Sequence, residues 1–145
     1  VIYGDDYKFE LGKGVTLKDG SDVTIFATGL MVEASLSAAE ALSEQGISAR
    51  VVNIHTIKPI DREIIVNAAR ETGAVVTCEE HNIIGGLGSA VAEVLCEEYP
   101  VPMVRVGVKD CFGKSGVPAQ LLKDYGLTAE DVAEAAKKAM AKKNK

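Results

Sequence analysis

The residues best suited to chemistry lie in one acidic, glycine-rich segment, 79–89, which has the sequence EEHNIIGGLGS. The segment follows an apolar run and precedes a helical pattern. Ligands of parallel α/β folds bind where strands end, and helix N-termini attract anions. Gly86-Leu-Gly88 matches part of the dinucleotide-binding pattern, and Asp110 lies about twenty residues further on. Nucleotide binding is therefore one interpretation of this segment.

Two features of the same segment argue against nucleotide binding. The pattern lacks its third glycine, and a polar stretch separates the glycines from the end of the strand. Glu79 and Glu80 would also repel a pyrophosphate. A tight turn with close helix–sheet packing is the simpler explanation of Gly85, Gly86 and Gly88.

His81 lies next to two glutamates, which suggests an acid–base group or a metal site. However, consecutive residues point in different directions, and His55 is the only other histidine in the chain. Neither an HxxxH nor an HExxH spacing occurs. The sequence therefore favours a histidine that packs in the fold or faces an interface.

The stretch FGKS at 112–115 matches the end of a phosphate-binding P-loop, but Val108 stands where the first glycine is required. A simple turn is the better interpretation. Neither Ser115 nor Cys78 has a triad partner that the sequence reveals. We expect Cys78 to be a buried core residue.

Composition narrows the class of protein further. The 145 residues carry a net charge of −5, which argues against nucleic acid or an anionic membrane as the main partner. Cys78, Cys96 and Cys111 have no disulfide or zinc spacing, which indicates a cytoplasmic protein. Neither a signal peptide nor an apolar run of roughly 18 residues is present. Because the chain begins with Val1, we expect a fragment of a longer protein.

The lysines near the end are interpreted as helix-end charge; they are Lys137, Lys138, Lys142, Lys143 and Lys145.

Apolar runs and helical patterns alternate along the chain. Buried strands are predicted at 23–28, 49–55, 74–78 and 103–108, each followed or preceded by an amphipathic stretch. Pro59 and Asp61 are predicted to open one helix, which Gly73 ends, and Thr128 with Asp131 to open the last. The pattern predicts an α/β three-layer sandwich, with helices on both faces of a mainly parallel sheet of about five strands.

The first segment, 9–17, lacks a helix before the strand at 23–28. We expect an antiparallel edge strand here, because the connection 18–22 is short enough for a hairpin. The whole chain, 1–145, is predicted to form one domain, with 1–18 as edge strand and lead-in.

Several segments together resemble the C-terminal domain of transketolase. The likeness covers nearly the whole chain, in order and with plausible spacing. It is carried by GSDVTIFATG at 20–29, ARVVNIHTIKPID at 49–61, EEHNIIGGLGSAV at 79–91, DCFGKSG at 110–116 and YGLT at 125–128. The nearest likeness is to the C-terminal subunit of bacterial split transketolases. Deoxyxylulose-phosphate synthases and 2-oxoacid dehydrogenase β subunits share this domain with looser sequences.

The resemblance implies where the chemistry takes place. Family members bind thiamine diphosphate and Mg²⁺ between a diphosphate-binding and a pyrimidine-binding domain, at a dimer interface. The glutamate that activates the cofactor belongs to the pyrimidine-binding domain. No catalytic, cofactor-binding or metal-binding residue is therefore expected in this chain. The implied role is packing and assembly in a cytoplasmic transketolase of the pentose phosphate pathway, which moves a two-carbon ketol unit between sugar phosphates.

The implied partners are the other two domains or subunits of the same enzyme, in a homodimer or heterotetramer. We expect two segments to meet a neighbouring domain or subunit, or to bind an anion. Their residues are Glu79, Glu80, His81, Asn82, Gly85, Gly86, Gly88, Ser89, Asp110, Gly113 and Ser115. The alternative functions are an autonomous anion- or nucleotide-binding regulatory module, or the same domain of a deoxyxylulose-phosphate synthase or 2-oxoacid dehydrogenase β subunit. The isolated chain is predicted to be inactive.

Overall fold

The computed structural model describes residues 12–82, 86–108 and 127–143, with the backbone alone for His81, Asn82 and Val108. Strands and helices alternate in the predicted order. The elements are β1 (Val15–Lys18), β2 (Val23–Ala27), α1 (Met31–Glu44), β3 (Ala49–Asn53), α2 (Arg62–Thr72), β4 (Val75–Asn82), α3 (Leu87–Glu98), β5 (Met103–Val108) and α4 (Ala129–Lys142). No helix in these ranges is both long enough and apolar enough to cross a bilayer.

The five strands form one sheet in the order β1-β3-β2-β4-β5. β2, β3, β4 and β5 run parallel to one another, and β1 is an antiparallel edge strand on β3. The mainly parallel sheet and the antiparallel edge strand are thereby confirmed.

The predicted hairpin is wrong, because β1 pairs with β3 rather than with β2. Both edges of β2 are already taken by parallel partners, β3 and β4. The connection from β1 to β2 passes over the start of β3 at Gly20, where a Cβ atom would lie 2.3 Å from the carbonyl carbon of Ala49. Asp22 fixes this crossing, since its N–H donates to the Ser48 carbonyl at 2.8 Å and its carboxylate accepts the Ser48 N–H at 2.7 Å.

Helices cover both faces of the sheet, as predicted. α1 and α4 pack on one face, where Ile25, Val51 and Val76 belong to their core cluster. α2 and α3 pack on the other face, with Phe26 and Val52 in theirs. Residues of one strand alternate between the two clusters, because successive side chains of a strand point to opposite faces. Leu36, Ile64 and Met140 are partly buried and pack against these clusters.

The predicted helix ends agree with the structure. Asp61 caps α2, and Gly73 ends it in the left-handed conformation at φ 74°. Thr128 and Asp131 form a capping box at the start of α4.

The lysine cluster does more than the predicted helix-end charge. The Lys143 ammonium donates to the carbonyl oxygens of Asp22 at 2.8 Å and Thr72 at 3.1 Å. This side chain therefore ties the end of α4 to the start of β2 and the end of α2.

Candidate functional site

The acidic residues of segment 79–89 belong to a strand rather than to a loop. β4 continues to Asn82, where it pairs with Val108 of β5 after an irregularity in the register. The predicted strand end at 78 is therefore wrong by four residues. Because successive strand residues face opposite sides of the sheet, Glu79 and Glu80 serve two different helices.

Glu79 lies on the face that α3 covers and is 2% exposed. Its carboxylate accepts a hydrogen bond from the Gly88 N–H at 2.7 Å, in the first turn of α3. N–H groups in the first turn have no partner within the helix, and the helix dipole favours a negative charge there. Glu79 therefore supplies the anion that this helix N-terminus attracts.

Glu80 has the equivalent role on the opposite face. Its carboxylate accepts the N–H of Leu30 at 3.2 Å, immediately before α1. Gly29 allows this approach, since its φ is 55° and a Cβ atom there would lie 2.9 Å from the Glu80 Oε1 atom. Two neighbouring residues of one strand thus cap two helices.

The other two described helices are capped in the same chemical way. Asp61 accepts the Ile64 N–H of α2 at 3.2 Å, and its second oxygen accepts the Gly14 N–H at 2.9 Å. Asp131 of the α4 capping box accepts the Thr128 N–H at 2.9 Å. Within residues 12–82, 86–108 and 127–143, every helix N-terminus therefore has a carboxylate of the chain itself.

This arrangement decides what the carboxyl edge of the sheet can bind. A helix N-terminus binds phosphate when its N–H groups are free and its surroundings are not negative. Here Glu79 and Glu80 fill the two N-termini nearest the glycine-rich segment. A phosphate or pyrophosphate would have to displace a carboxylate, which makes this edge a poor anion site.

Close packing explains one of the segment's glycines. A Cβ atom on Gly88 would lie 3.0 Å from the buried Thr77 Oγ1 and 2.9 Å from the Arg105 Cδ. α3 can therefore approach the sheet closely only because position 88 carries no side chain. The packing interpretation of Gly88 is confirmed, whereas Gly86 precedes α3 with an extended backbone at φ −96°.

The remaining predicted site residues are distributed as follows. Ser89 lies in the first turn of α3. The side chains of His81 and Asn82 fall outside the described atoms, as do Gly85, Asp110, Gly113 and Ser115. Among the described residues, no group of three or more His, Cys, Asp or Glu side chains is arranged to hold a metal ion.

Cys78 is fully buried in the core beneath α1, as predicted. Burial raises the pKa of its thiol to about 12, and this effect exceeds the opposing influence of the nearby Ser35 hydroxyl. The nearby charge of Glu79 raises the pKa further. A thiol in this state is not a nucleophile at neutral pH.

A cavity of about 460 Å³ lies at the opposite, amino edge of the sheet, beside Gly73 and Pro102. Two cationic groups that line it already have partners. The Arg70 guanidinium lies 5.6 Å from the centre of the Tyr99 ring, and the Lys143 ammonium is held by two carbonyl groups. Ligands of parallel α/β sheets bind at the other edge, so this cavity is not the candidate site.

Sequence reasoning missed the residues that complete the carboxyl edge, namely Gly29, Leu30, Thr77 and Arg105. A partial signal was present, since an acidic pair at the end of a buried strand needs partners wherever it is buried. The particular partners depend on the order of the strands in the sheet.

Comparison with known proteins identifies the family. The model of the transketolase C-terminal domain matches residues 12–132. The 6-deoxy-6-sulfo-D-fructose transketolase subunit SqwH of Clostridium sp. (strain MSTE9) is 51% identical over 143 residues, which are 99% of this chain and 44% of that protein. A 1-deoxy-D-xylulose-5-phosphate synthase of Heliobacterium modesticaldum is 46% identical over 128 residues, covering 88% of this chain and 20% of the synthase.

A solved structure described as a split gene transketolase, inactive beta4 tetramer, gives a TM-score of 0.92 at 57% identity. The match covers 97% of this chain and 46% of the other. The chain thus spans about half the length of these transketolase relatives, and the resemblance noted in the sequence is confirmed. The chain belongs to the transketolase C-terminal domain family.

Proposed function

We propose that this chain is the C-terminal section of a transketolase that transfers a two-carbon ketol unit between sugar phosphates. In this proposal the chain contributes packing and assembly, and the reacting groups lie on other sections of the enzyme. The single observation that carries the division of labour is the set of internal carboxylates. Glu79, Glu80 and Asp61 satisfy the helix N-termini at the edge of the sheet where a ligand would otherwise bind.

Thiamine diphosphate and Mg²⁺ are proposed for the intact enzyme, not for this chain. The described residues do not fit a diphosphate–metal group. Two carboxylates stand where the phosphates would need N–H donors, and no cluster of metal ligands is found in residues 12–82, 86–108 and 127–143. No step of the reaction is therefore assigned to this chain.

The proposed partners are the pyrimidine-binding and diphosphate-binding sections of the same enzyme. A homodimer or a heterotetramer in the cytoplasm is the proposed assembly. The tetramer named for the solved relative supports an oligomer. The acidic net charge of −5 supports protein partners over nucleic acid or membrane lipid.

We also propose that the segments 79–89 and 110–116 contact a neighbouring domain or subunit. Within the first segment, Glu80 joins β4 to the start of α1 and Glu79 joins it to the first turn of α3, so Gly86, at the turn into α3, lies beside an anchored helix end. Gly86→Arg adds a long charged side chain at this turn. We expect the intact enzyme to lose assembly and activity at least tenfold, and unchanged assembly and activity would reject the contact.

The decisive assay is ketol transfer by the intact protein, supplied with thiamine diphosphate, Mg²⁺, a phosphorylated ketose and an aldose phosphate. The sulfonated fructose named for the Clostridium relative is a second donor to test. We expect transfer by the intact protein and none by residues 1–145 alone. Turnover by the isolated chain would contradict the division of labour.

A 1-deoxy-D-xylulose-5-phosphate synthase is the second candidate parent enzyme, because the Heliobacterium synthase is 46% identical over 88% of this chain. A second assay distinguishes the two candidates. A ketol donor would leave a hydroxyl group on C1, so 1-deoxy-D-xylulose 5-phosphate can form only when a 2-oxoacid that releases CO₂, such as pyruvate, replaces the phosphorylated ketose. An autonomous anion-binding module receives no support from the described residues. Titration of the chain with NAD, ATP and sugar phosphates tests it, and micromolar affinity would overturn our interpretation.

A further inference from the structure

Two large hydrophobic side chains remain exposed in the described part of the chain. Leu30 is 60% exposed and Ile57 is 36% exposed. They follow β2 and β3, whose last residues, Ala27 and Asn53, are direct partners in the parallel register. Both side chains therefore belong to loops at the carboxyl edge of the sheet.

The leucine side chain at position 30 contributes neither burial nor a helix cap to the fold. It takes the N-cap position of α1 but provides no side-chain hydrogen bond, whereas Ser, Thr, Asp and Asn are preferred at such positions. The backbone N–H of Leu30 donates to the carboxylate of Glu80, on the neighbouring strand β4, at 3.2 Å. The side chain thus gains neither burial nor a capping bond. Local preferences that are broken without a gain in stability mark functional positions.

The chemistry of this edge selects the kind of partner. The carboxylates of Glu79 and Glu80 lie at the N-termini of α3 and α1, so a small anion would meet negative charge there. The remaining feature of this edge is the exposed apolar surface of Leu30 and Ile57. Such a surface is typical of the core of a protein–protein contact, which is depleted in free charge.

We propose that Leu30 and Ile57 form the surface on which the remaining section of the same transketolase packs. The inference rests on the proposed function, because the occupant is the part of a transketolase that this chain does not cover. The match extends over only 44% and 46% of the two transketolase relatives, so more than half of each lies outside this domain. That remainder is the occupant to which the proposal commits.

Crosslinking in the intact protein tests the contact directly. Leu30 is replaced by the photoreactive residue benzoylphenylalanine, and crosslinked peptides are identified by mass spectrometry. We expect crosslinks to peptides outside residues 1–145. Ala41, which is exposed on α1, provides the control position, and we expect no such crosslink from it. Crosslinks from position 30 only to a second copy of residues 1–145, or none at all, would overturn the proposal.

Substitution gives an independent measurement. We expect Leu30→Ser with Ile57→Ser to lower assembly and ketol transfer by the intact protein more than tenfold, while the circular dichroism of the domain stays unchanged. Ala41→Ser should leave both within twofold. Retention of wild-type assembly by the double variant would overturn the contact. If the wild-type protein shows no ketol transfer, the proposed function fails, and the crosslinking result still decides whether this surface is a contact.

Discussion

Replacing Gly88 by alanine tests the close approach of α3 to the sheet. Alanine in a helix is normally more favourable than glycine, by about 0.8–1 kcal/mol. At position 88, however, the new Cβ atom would lie 3.0 Å from the Thr77 Oγ1 and 2.9 Å from the Arg105 Cδ. The two effects have opposite signs, so the sign of the measured change in stability is informative.

The side chains of Thr77 and Arg105 differ in how easily the new Cβ atom can displace them. Arg105 is exposed and its aliphatic part can turn outward. Thr77 is 1% exposed, and its strand is paired on both sides with β2 and β5. Overpacking against such a group costs about 1–3 kcal/mol. Subtracting the helix propensity, we expect Gly88→Ala to lower the free energy of unfolding by about 0–2 kcal/mol instead of raising it.

A double-mutant cycle isolates the contact. Thr77→Ala removes the obstructing hydroxyl, which has no hydrogen-bond partner among the described residues. In that background Gly88→Ala should stabilise the protein by about 1 kcal/mol, because only the helix propensity remains. The free energies are measured by urea unfolding followed by circular dichroism. If Gly88→Ala stabilises the wild type, or has the same effect in both backgrounds, close packing is not why position 88 is glycine.

Three further changes test other parts of the structure by the same unfolding measurement. Gly20→Ala should lower the free energy of unfolding by more than about 3 kcal/mol, since its Cβ atom would meet the β3 backbone. The control, Gly46→Ala, places its Cβ atom in open space at φ 79° and should cost only about 1–2 kcal/mol. Lys143→Met should cost about 1.5–3 kcal/mol by removing two charged hydrogen bonds, and a loss below about 0.5 would contradict this role. The fold raises the pKa of Cys78 to about 12 from an ordinary value of 9.0, which favours the folded state while the thiol is protonated. This contribution to stability is therefore complete below pH 9 and is lost as the pH rises towards 12. The wild type should therefore lose up to about 1.4 kcal/mol per pH unit more than Cys78→Ala across that range, and equal slopes would refute the buried thiol.

Much of the fold could be predicted because its signals are local. The buried strands are apolar runs, and the helix ends carry their own capping residues. Thr128 and Asp131 lie three positions apart, and Asp61 lies three positions before Ile64, whose N–H it accepts. Both partners of such a contact lie within a few residues of each other, so the contact can be predicted without knowing the order of the strands.

The path of β1 could not be predicted in this way. A short connection before a strand is typical of a hairpin, and the segment 18–22 has that length. The alternative pairing depends on Gly20 lying against Ala49, a contact between residues far apart in sequence. Only the assembled sheet, in which both edges of β2 are already paired, excludes the hairpin.

The sequence predicts the acidic character of the candidate site but not the hydrogen-bond partners of its carboxylates. The sequence predicts that Glu79 and Glu80 repel a pyrophosphate, but it does not predict that they cap two helices. Alternation along a strand predicts that Glu79 and Glu80 point to opposite faces. Which helix each one reaches depends on the order of the strands, because the Glu80 contact joins residues 50 positions apart.

The two caps from β4 also constrain the order in which the chain can become structured. During synthesis α1 leaves the ribosome before Glu80 has been made, so it lacks the carboxylate at its N-terminus for the next 50 residues. β4 must pair beside β2 before that carboxylate is in place. The same strand then delivers Glu79 to α3, only 9 residues later in the chain. Docking of β4 therefore completes a helix made earlier and prepares one made afterwards, so the pairing of this strand joins the earlier and later parts of the chain cooperatively.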